Sequence, residues 1–180
     1  MNIKSCITVV AALALTTLSA PAFAASQVSP SQVFGKLISD QGEKIVAVAE
    51  AMPADKYNFA PTNGEFKTVN TFAQQLTHLA QAQYYFFGGF GTKPTIDPKS
   101  LAKLTSKDEI VKALKDAFAF AHQATETITP ENAFEQVAER DGTDTRASIV
   151  AFAMGHTENH YGQMVEYLRM NGIIPPASRK

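Results

Sequence analysis

The sequence predicts an all-α protein, a four-helix bundle preceded by a cleavable signal peptide. Four long stretches repeat their apolar residues every three or four positions, which is the period of one helical face. No sustained alternation of apolar and polar residues, the pattern of a strand, accompanies them. Four amphipathic helices in one chain bury their apolar faces by packing as a bundle.

The first 24 residues have the features of a secretory signal peptide. Lys4 precedes an apolar run from Cys6 to Ala20, and Ala22-Phe23-Ala24 supplies an A-x-A cleavage site. The run is shorter than the roughly 20 apolar residues that span a bilayer. We therefore expect cleavage after Ala24, a secreted or periplasmic mature protein, and no membrane attachment once the leader is removed.

The composition of the mature chain excludes several classes of function. Residues 25–180 have the length of one domain, and the single cysteine, Cys6, lies in the leader, so disulfides, thiolate ligands and a cysteine nucleophile are excluded. The formal charge of the whole chain is −1, and both signs are scattered along it. This distribution is not that of a nucleic-acid-binding surface.

The first two helices are predicted at residues 30–52 and about 70–87. Ser29 is the expected N-cap of the first, Pro30 its first residue, and Pro53 its stop. Gly88 and Gly89 are expected to end the second. The buried faces are predicted to comprise Phe34, Leu37, Ile38, Ile45, Val48, Ala49 and Met52 in the first helix, and Phe72, Leu76, Leu79 and Phe86 in the second. Residues 88–104 contain too much glycine and proline to be regular, so an irregular connection is expected there.

The third and fourth helices are predicted from their capping signals. The third begins at Ser106 with an S-x-x-E capping-box pattern and is closed by Pro130. Its buried stripe is predicted to comprise Ile110, Val111, Leu114, Ala117, Phe118, Ala121 and Ile128. Residues 131–143 connect, with one short extended piece at 134–137. The fourth helix begins near Asp144-Thr145 and continues to Met170, where Asn171-Gly172 stops it.

Two histidines occupy the predicted buried stripe of the fourth helix. His156 and His160 are one turn apart, on the face that also carries Ile149, Ala153 and Tyr167. A neutral imidazole in an apolar core needs partners for its donor and its acceptor, and two imidazoles at i and i+4 can converge on one cation. The spacing therefore favours a divalent-metal site. The alternative is two core imidazoles hydrogen-bonded to helix or side-chain groups, with no metal.

His78 is the expected third ligand. It lies on the second helix, away from the Phe72/Leu76 arc and on the same side as Gln74 and Tyr85, which become pocket candidates. Three nitrogen ligands leave one position open, as in catalytic metal sites, whereas structural sites commonly have four protein ligands.

The remaining polar residues near this motif are assigned by helical position. HTENH differs from the metalloprotease motif H-E-x-x-H, because Glu158 falls on the side of the helix opposite both histidines. Gln163 is placed either toward the pocket or in solvent at the end of the bundle. His122 borders the stripe of the third helix and is expected at an edge or on the surface.

A third face of the fourth helix carries the small residues Ala151, Gly155 and Gly162. Glycine inside a helix costs about 1 kcal/mol relative to alanine, so a close neighbour is expected to compensate for it. That neighbour is either another helix of the bundle or a dimer partner.

The sequence resembles the DinB superfamily, the DinB/YfiT-like metalloenzymes, in two separate blocks. MPADKYNFAPTNGEFKTVNTFAQQLTHLA is similar to the family's loop that leads into the helix with the first metal-site histidine. HTENHYGQMVEYLRMNGIIPPAS is similar to its terminal H-x3-H-x-G-Q signature. The resemblance implies that His78, His156 and His160 form the metal triad, that the cation is zinc, nickel or manganese, and that the protein is a homodimer with a DinB/YfiT-type bundle.

The resemblance and the residues leave two main functions. The first is a metal-dependent enzyme, a thiol-dependent transferase or a hydrolase, acting on an unknown small molecule outside the cytoplasm. The second is a non-catalytic metal-binding or stress-associated periplasmic protein. A haem-binding bundle is disfavoured, because no C-x-x-C-H attachment site is present. A helical scaffold that binds a partner is the remaining alternative.

Overall fold

The computed structural model describes residues 27–62, 68–138 and 142–180, and its main elements are four α-helices. Helix α1 spans Pro30–Ala51, α2 Phe72–Phe87, α3 Lys107–Thr125 and α4 Arg146–Met170. Short 3-10 segments lie at Ala54–Lys56, Pro98–Lys103 and Pro176–Ser178. The described residues contain no strand, only an isolated bridge between Gln136 and Thr145. The predicted all-α class is confirmed, whereas the predicted signal peptide lies outside the described residues.

Side-chain caps explain where three of the helices begin. At α1 the Ser29 hydroxyl accepts from the backbone N–H of Gln32, whose side chain accepts in return from the Ser29 backbone N–H. The same reciprocal capping box opens α2 at Thr71 and α4 at Thr145. Each box satisfies two backbone donors that the first turn of a helix leaves without partners.

At α3 the cap differs from the predicted capping box. The Ser106 hydroxyl accepts from the Glu109 backbone N–H as expected, but it donates to the Glu109 carboxylate. The Glu109 side chain is thereby held at the hydroxyl. The single cap still fixes the start of the helix at the predicted residue.

The end of one helix and two of the connections differ from the prediction. Helix α3 ends at Thr125 and not at Pro130, because tighter turns take over, in which Thr127 N–H donates to Ala124 C=O and Ile128 N–H to Thr125 C=O. The connection after α2 contains a 3-10 segment, Pro98–Lys103, capped by the Asp97 carboxylate. The extended piece expected at 134–137 is reduced to the isolated bridge.

One apolar core lies between the four helices. Helix α1 packs against α3 and α4, and α2 packs against the same two helices. All seven residues of the predicted α3 stripe are buried, as are the four predicted on α2. On α1 the prediction failed at Leu37, which is 38% exposed, while Phe34 is only partly buried.

A glycine allows the close approach of α1 and α3. A Cβ atom built on Gly42 would lie 3.0 Å from the Cβ and Cγ atoms of Phe118, tighter than ordinary van der Waals contact. A larger residue at position 42 would require Phe118 to shift by a few tenths of an ångström.

None of the helices in the described segments has the length and apolar character needed to cross a bilayer.

Candidate metal centre

Three histidine side chains meet in the groove between α2 and α4. The Nε2 atoms of His78 and His156 are 3.0 Å apart, and the ring of His160 lies 4.9 Å from that of His78 and 4.5 Å from that of His156. One ring nitrogen from each residue can be chosen so that all three lie within 4.8 Å of one another. The group is therefore compact enough to hold one metal ion. That it does so stays a prediction.

The antiparallel packing of α2 and α4 brings these residues together. The Tyr167 hydroxyl donates to Asn70 C=O at the start of α2, and the ring of Phe152 contacts Phe86 near its end. His78 lies between these two contacts along α2. On α4, the spacing of four residues places His156 and His160 on the same face, one turn apart.

A pair of glutamines determines which nitrogen His160 presents. Its Nδ1 lies 2.5 Å from Oε1 of Gln75, and the Gln75 Nε2 donates to Oε1 of Gln163 at 2.8 Å. Because the Gln75 oxygen can only accept, the proton of a neutral His160 ring is on Nδ1. The lone pair of Nε2 is then available to a cation, the arrangement usual for histidine ligands.

The protonation of His156 and His160 suits a cation. Burial, with smaller effects from the neighbouring His156 and His78, lowers the pKa of His160 to about 4. Burial likewise lowers the pKa of His156, with a smaller effect from His78. Both rings are therefore neutral at neutral pH, the form that binds metal.

Aromatic rings hold His156 from the other side. The ring centroid of Phe86 lies 5.2 Å from that of His156 in an edge-on contact, and Phe152 is stacked at 6.5 Å. The Nδ1 atom of His156 is buried and has no hydrogen-bond partner among the described residues. At this flank the aromatic packing, and not a hydrogen bond from Nδ1, thus orients the ring in the described part of the chain.

Comparison with known proteins assigns the family. The sequence model of the DinB superfamily matches residues 37–164, a range that contains all three histidines. The chain belongs to the DinB superfamily. A crystal structure of a DinB-like protein from Bacillus cereus is similar, with a TM-score of 0.66 and 16% identity over 79% of this chain and 93% of that one. At this identity the likeness supports the fold alone. No curated protein matches the sequence.

The histidines of this DinB protein are less enclosed than the stripe predicted. Ile149, Ala153 and Tyr167 are buried as expected, but His156 and His160 are only partly buried and His78 is exposed. They lie at the border of the core, because the groove between α2 and α4 opens to solvent at His78. The site is therefore accessible to small molecules.

The three pocket candidates have different positions. Gln163 is partly buried and accepts from Gln75, which in turn contacts His160, and its part in a pocket stays a prediction. Gln74 is exposed, and its side chain is engaged at the N-cap of α2, where it accepts from the Thr71 backbone N–H. Tyr85 is 72% exposed and lines a cavity next to the triad.

Glu158 and His122 are both remote from the triad. The Glu158 carboxylate accepts from Lys44 and Gln41 of α1, on the opposite side of α4, as the helical period predicted. His122 is a partly exposed residue of α3, close to Gly35 on α1.

Sequence reasoning missed three neighbours of the triad, which are Gln75, Phe86 and Phe152. Gln75 is three residues before His78 and so on the same side of α2, a spacing that could have identified it. Phe86 was predicted only as core. Phe152 is four residues before His156, one turn away on the same face. Polar and aromatic residues three or four positions from a predicted histidine ligand are the signal that could have identified Gln75 and Phe152.

Gln75→Leu is expected to weaken zinc binding by about 10- to 100-fold, the usual effect of losing the group that orients a histidine ligand. Leucine keeps the volume but offers no acceptor to His160 Nδ1–H. Competition titration with a chromophoric chelator measures the change. Gln75→Glu is the matched control, because its carboxylate still accepts from Nδ1, and it should bind zinc at least as tightly as the parent. Equal zinc affinity in the Leu and Glu variants would contradict a positioning role for Gln75.

Proposed function

We propose that this DinB-superfamily protein is a metal-dependent enzyme in which His78, His156 and His160 hold one divalent cation. The observation that supports the proposal is the convergence of three imidazoles from two helices, two of them with a lowered pKa, in a groove open to solvent. Zinc, nickel and manganese all remain candidates, since imidazole accepts several first-row ions.

The donor set favours catalysis over a purely structural role. Among the described residues the cluster contains three imidazoles and no carboxylate, one ligand fewer than a closed tetrahedral site needs. A bound divalent cation supplies Lewis acidity to a substrate atom in the open position. The exposed side of His78 gives that position an access route.

The residues around the triad have two roles in this proposal. Gln75 holds His160 in the tautomer that presents Nε2 to the centre. Phe86 and Phe152 flank His156 on the opposite side and give that flank an aromatic surface. A bound substrate thus meets amide side chains on one side of the site and aromatic side chains on the other. This difference favours one orientation of the molecule.

The reaction we propose is that of a thiol-dependent transferase or a hydrolase, acting on a small molecule outside the cytoplasm. The leader-like residues 1–24 support export. We also propose a homodimer, supported by the exposed Gly155 and Gly162, on which an added Cβ would meet nothing within 4 Å in the described chain. No helix of the described chain is the close neighbour that these glycines were predicted to need.

Cobalt substitution tests the open position. In the cobalt-loaded protein, azide should shift the visible absorption bands, because an exchangeable ligand completes the coordination of a three-histidine site. The metal-free protein with the same azide concentration is the control. A cobalt spectrum unchanged by azide would favour the alternative, a non-catalytic metal-binding protein of the periplasm.

A further inference from the structure

A cavity of about 440 Å³ adjoins the triad on its aromatic side. Its floor contains the buried side chains of Phe86 and Ile149, and its rim contains Tyr85 and Phe152. Tyr85 is 72% exposed and Phe152 64% exposed. Large aromatic side chains exposed together around a concave surface are typical of a ligand site.

The cavity and the candidate metal centre share a boundary. Phe86 and Phe152 contact each other edge to face with 5.4 Å between ring centroids, and both also contact the His156 ring. Phe152 is one helical turn from His156, about 6 Å along the axis of α4. A molecule bound at the triad therefore reaches the cavity if it extends along the groove by about the length of one aromatic ring.

The two ends of the groove differ in chemistry. Beyond His160 the side chains are the amides of Gln75 and Gln163, which are hydrogen-bonded to each other. Beyond His156 the cavity is lined mainly by the aromatic and aliphatic side chains of Tyr85, Phe86, Ile149 and Phe152, with Asp144 and Ser148 as its polar residues. An apolar group of a ligand packs against those four side chains, whereas at the amide end it would face the polar atoms of the glutamine pair.

We propose that this cavity binds an aromatic or extended apolar group of the substrate whose polar head lies at the triad. The inference rests on the proposed function and names the substrate class for that site. The cavity volume lies within the range of about 300–1,000 Å³ for small-molecule sites. A partner protein is disfavoured as occupant, because a stable interface takes roughly 20–30 residues from each partner and only six residues line the cavity.

Two hydroxamates that differ only in their apolar group test the proposal on the zinc-loaded protein. Isothermal titration should give a dissociation constant for a biphenyl hydroxamate at least about tenfold lower than for acetohydroxamate, since the rings leave water on binding. In Phe152→Ala this ratio should fall to about threefold or less. Met170→Ala is the matched control, an exposed apolar residue at the far end of the same helix, and should keep the parent ratio.

A second measurement tests the cavity independently of the proposed metal centre. Saturation-transfer NMR with biphenyl carboxamide, which lacks the metal-binding head, should show ring contacts with the metal-free parent that are lost in Phe152→Ala. If the chain binds no zinc, the proposed function fails, and this measurement alone decides whether the cavity binds an aromatic group. Equal affinities for the two hydroxamates, or carboxamide contacts that persist in Phe152→Ala, would overturn the aromatic pocket while leaving the metal centre intact.

Discussion

His156→Ala is expected to purify without zinc, whereas the parent protein holds one zinc per chain. Its imidazole supplies one of three nitrogens, with Nε2 3.0 Å from that of His78. Loss of a ligand should lower zinc affinity by roughly 100-fold or more, because even the groups that only orient ligands contribute 10- to 100-fold. Elemental analysis after dialysis against trace zinc measures the difference.

His122→Ala is the matched control for this experiment. It removes the one histidine outside the triad, on α3, and should leave the zinc content at one per chain. Circular dichroism should show both variants folded, since alanine favours helix and His156 is only partly buried. Equal zinc content in His156→Ala and the parent would remove His156 from the site.

Phe72→Ala should lower the free energy of unfolding by about 3–5 kcal/mol, the usual cost of truncating a fully buried phenylalanine. The Phe72 side chain has no exposed surface, and its ring contacts Tyr57 at 5.4 Å and Tyr167 at 6.5 Å. It is also the first residue of α2, and its N–H donates to Phe59 C=O. The truncation leaves a cavity that these rings cannot fill.

Guanidinium unfolding of the metal-free protein measures this change as a lower midpoint at constant slope. Phe134→Ala is the matched control, because that phenylalanine is 80% exposed and its truncation should change stability by less than about 0.5 kcal/mol. Similar midpoints for the two variants would contradict the placement of Phe72 in the core.

The elements that local chemistry determines were predicted well from sequence. Ser29 and Thr145 were expected at helix starts, and their side chains do cap the first turns of α1 and α4. The histidine pair on α4 follows from helical period alone, and so does the position of Glu158 on the opposite side. These features depend on residues within a turn or two of one another.

Features that depend on contacts between helices were not predictable in the same way. Leu37 has the period of a buried residue, yet it is exposed, because the period gives the side of a helix and not how far the neighbouring helices cover it. Gln75 becomes a partner of the triad only because α4 places His160 opposite it. Phe152 acquires a role because Phe86 lies across the groove, 66 positions earlier in the sequence.

The triad joins distant parts of a chain that has no cysteine after Cys6. His78 and His156 are 78 positions apart, so an ion shared by them would act as a removable cross-link closing a long loop. Such a link stabilises the native state in proportion to the logarithm of the free metal concentration, because the unfolded chain lacks the assembled site. In a compartment whose metal content varies, the lifetime of this protein would then follow the supply of its ion.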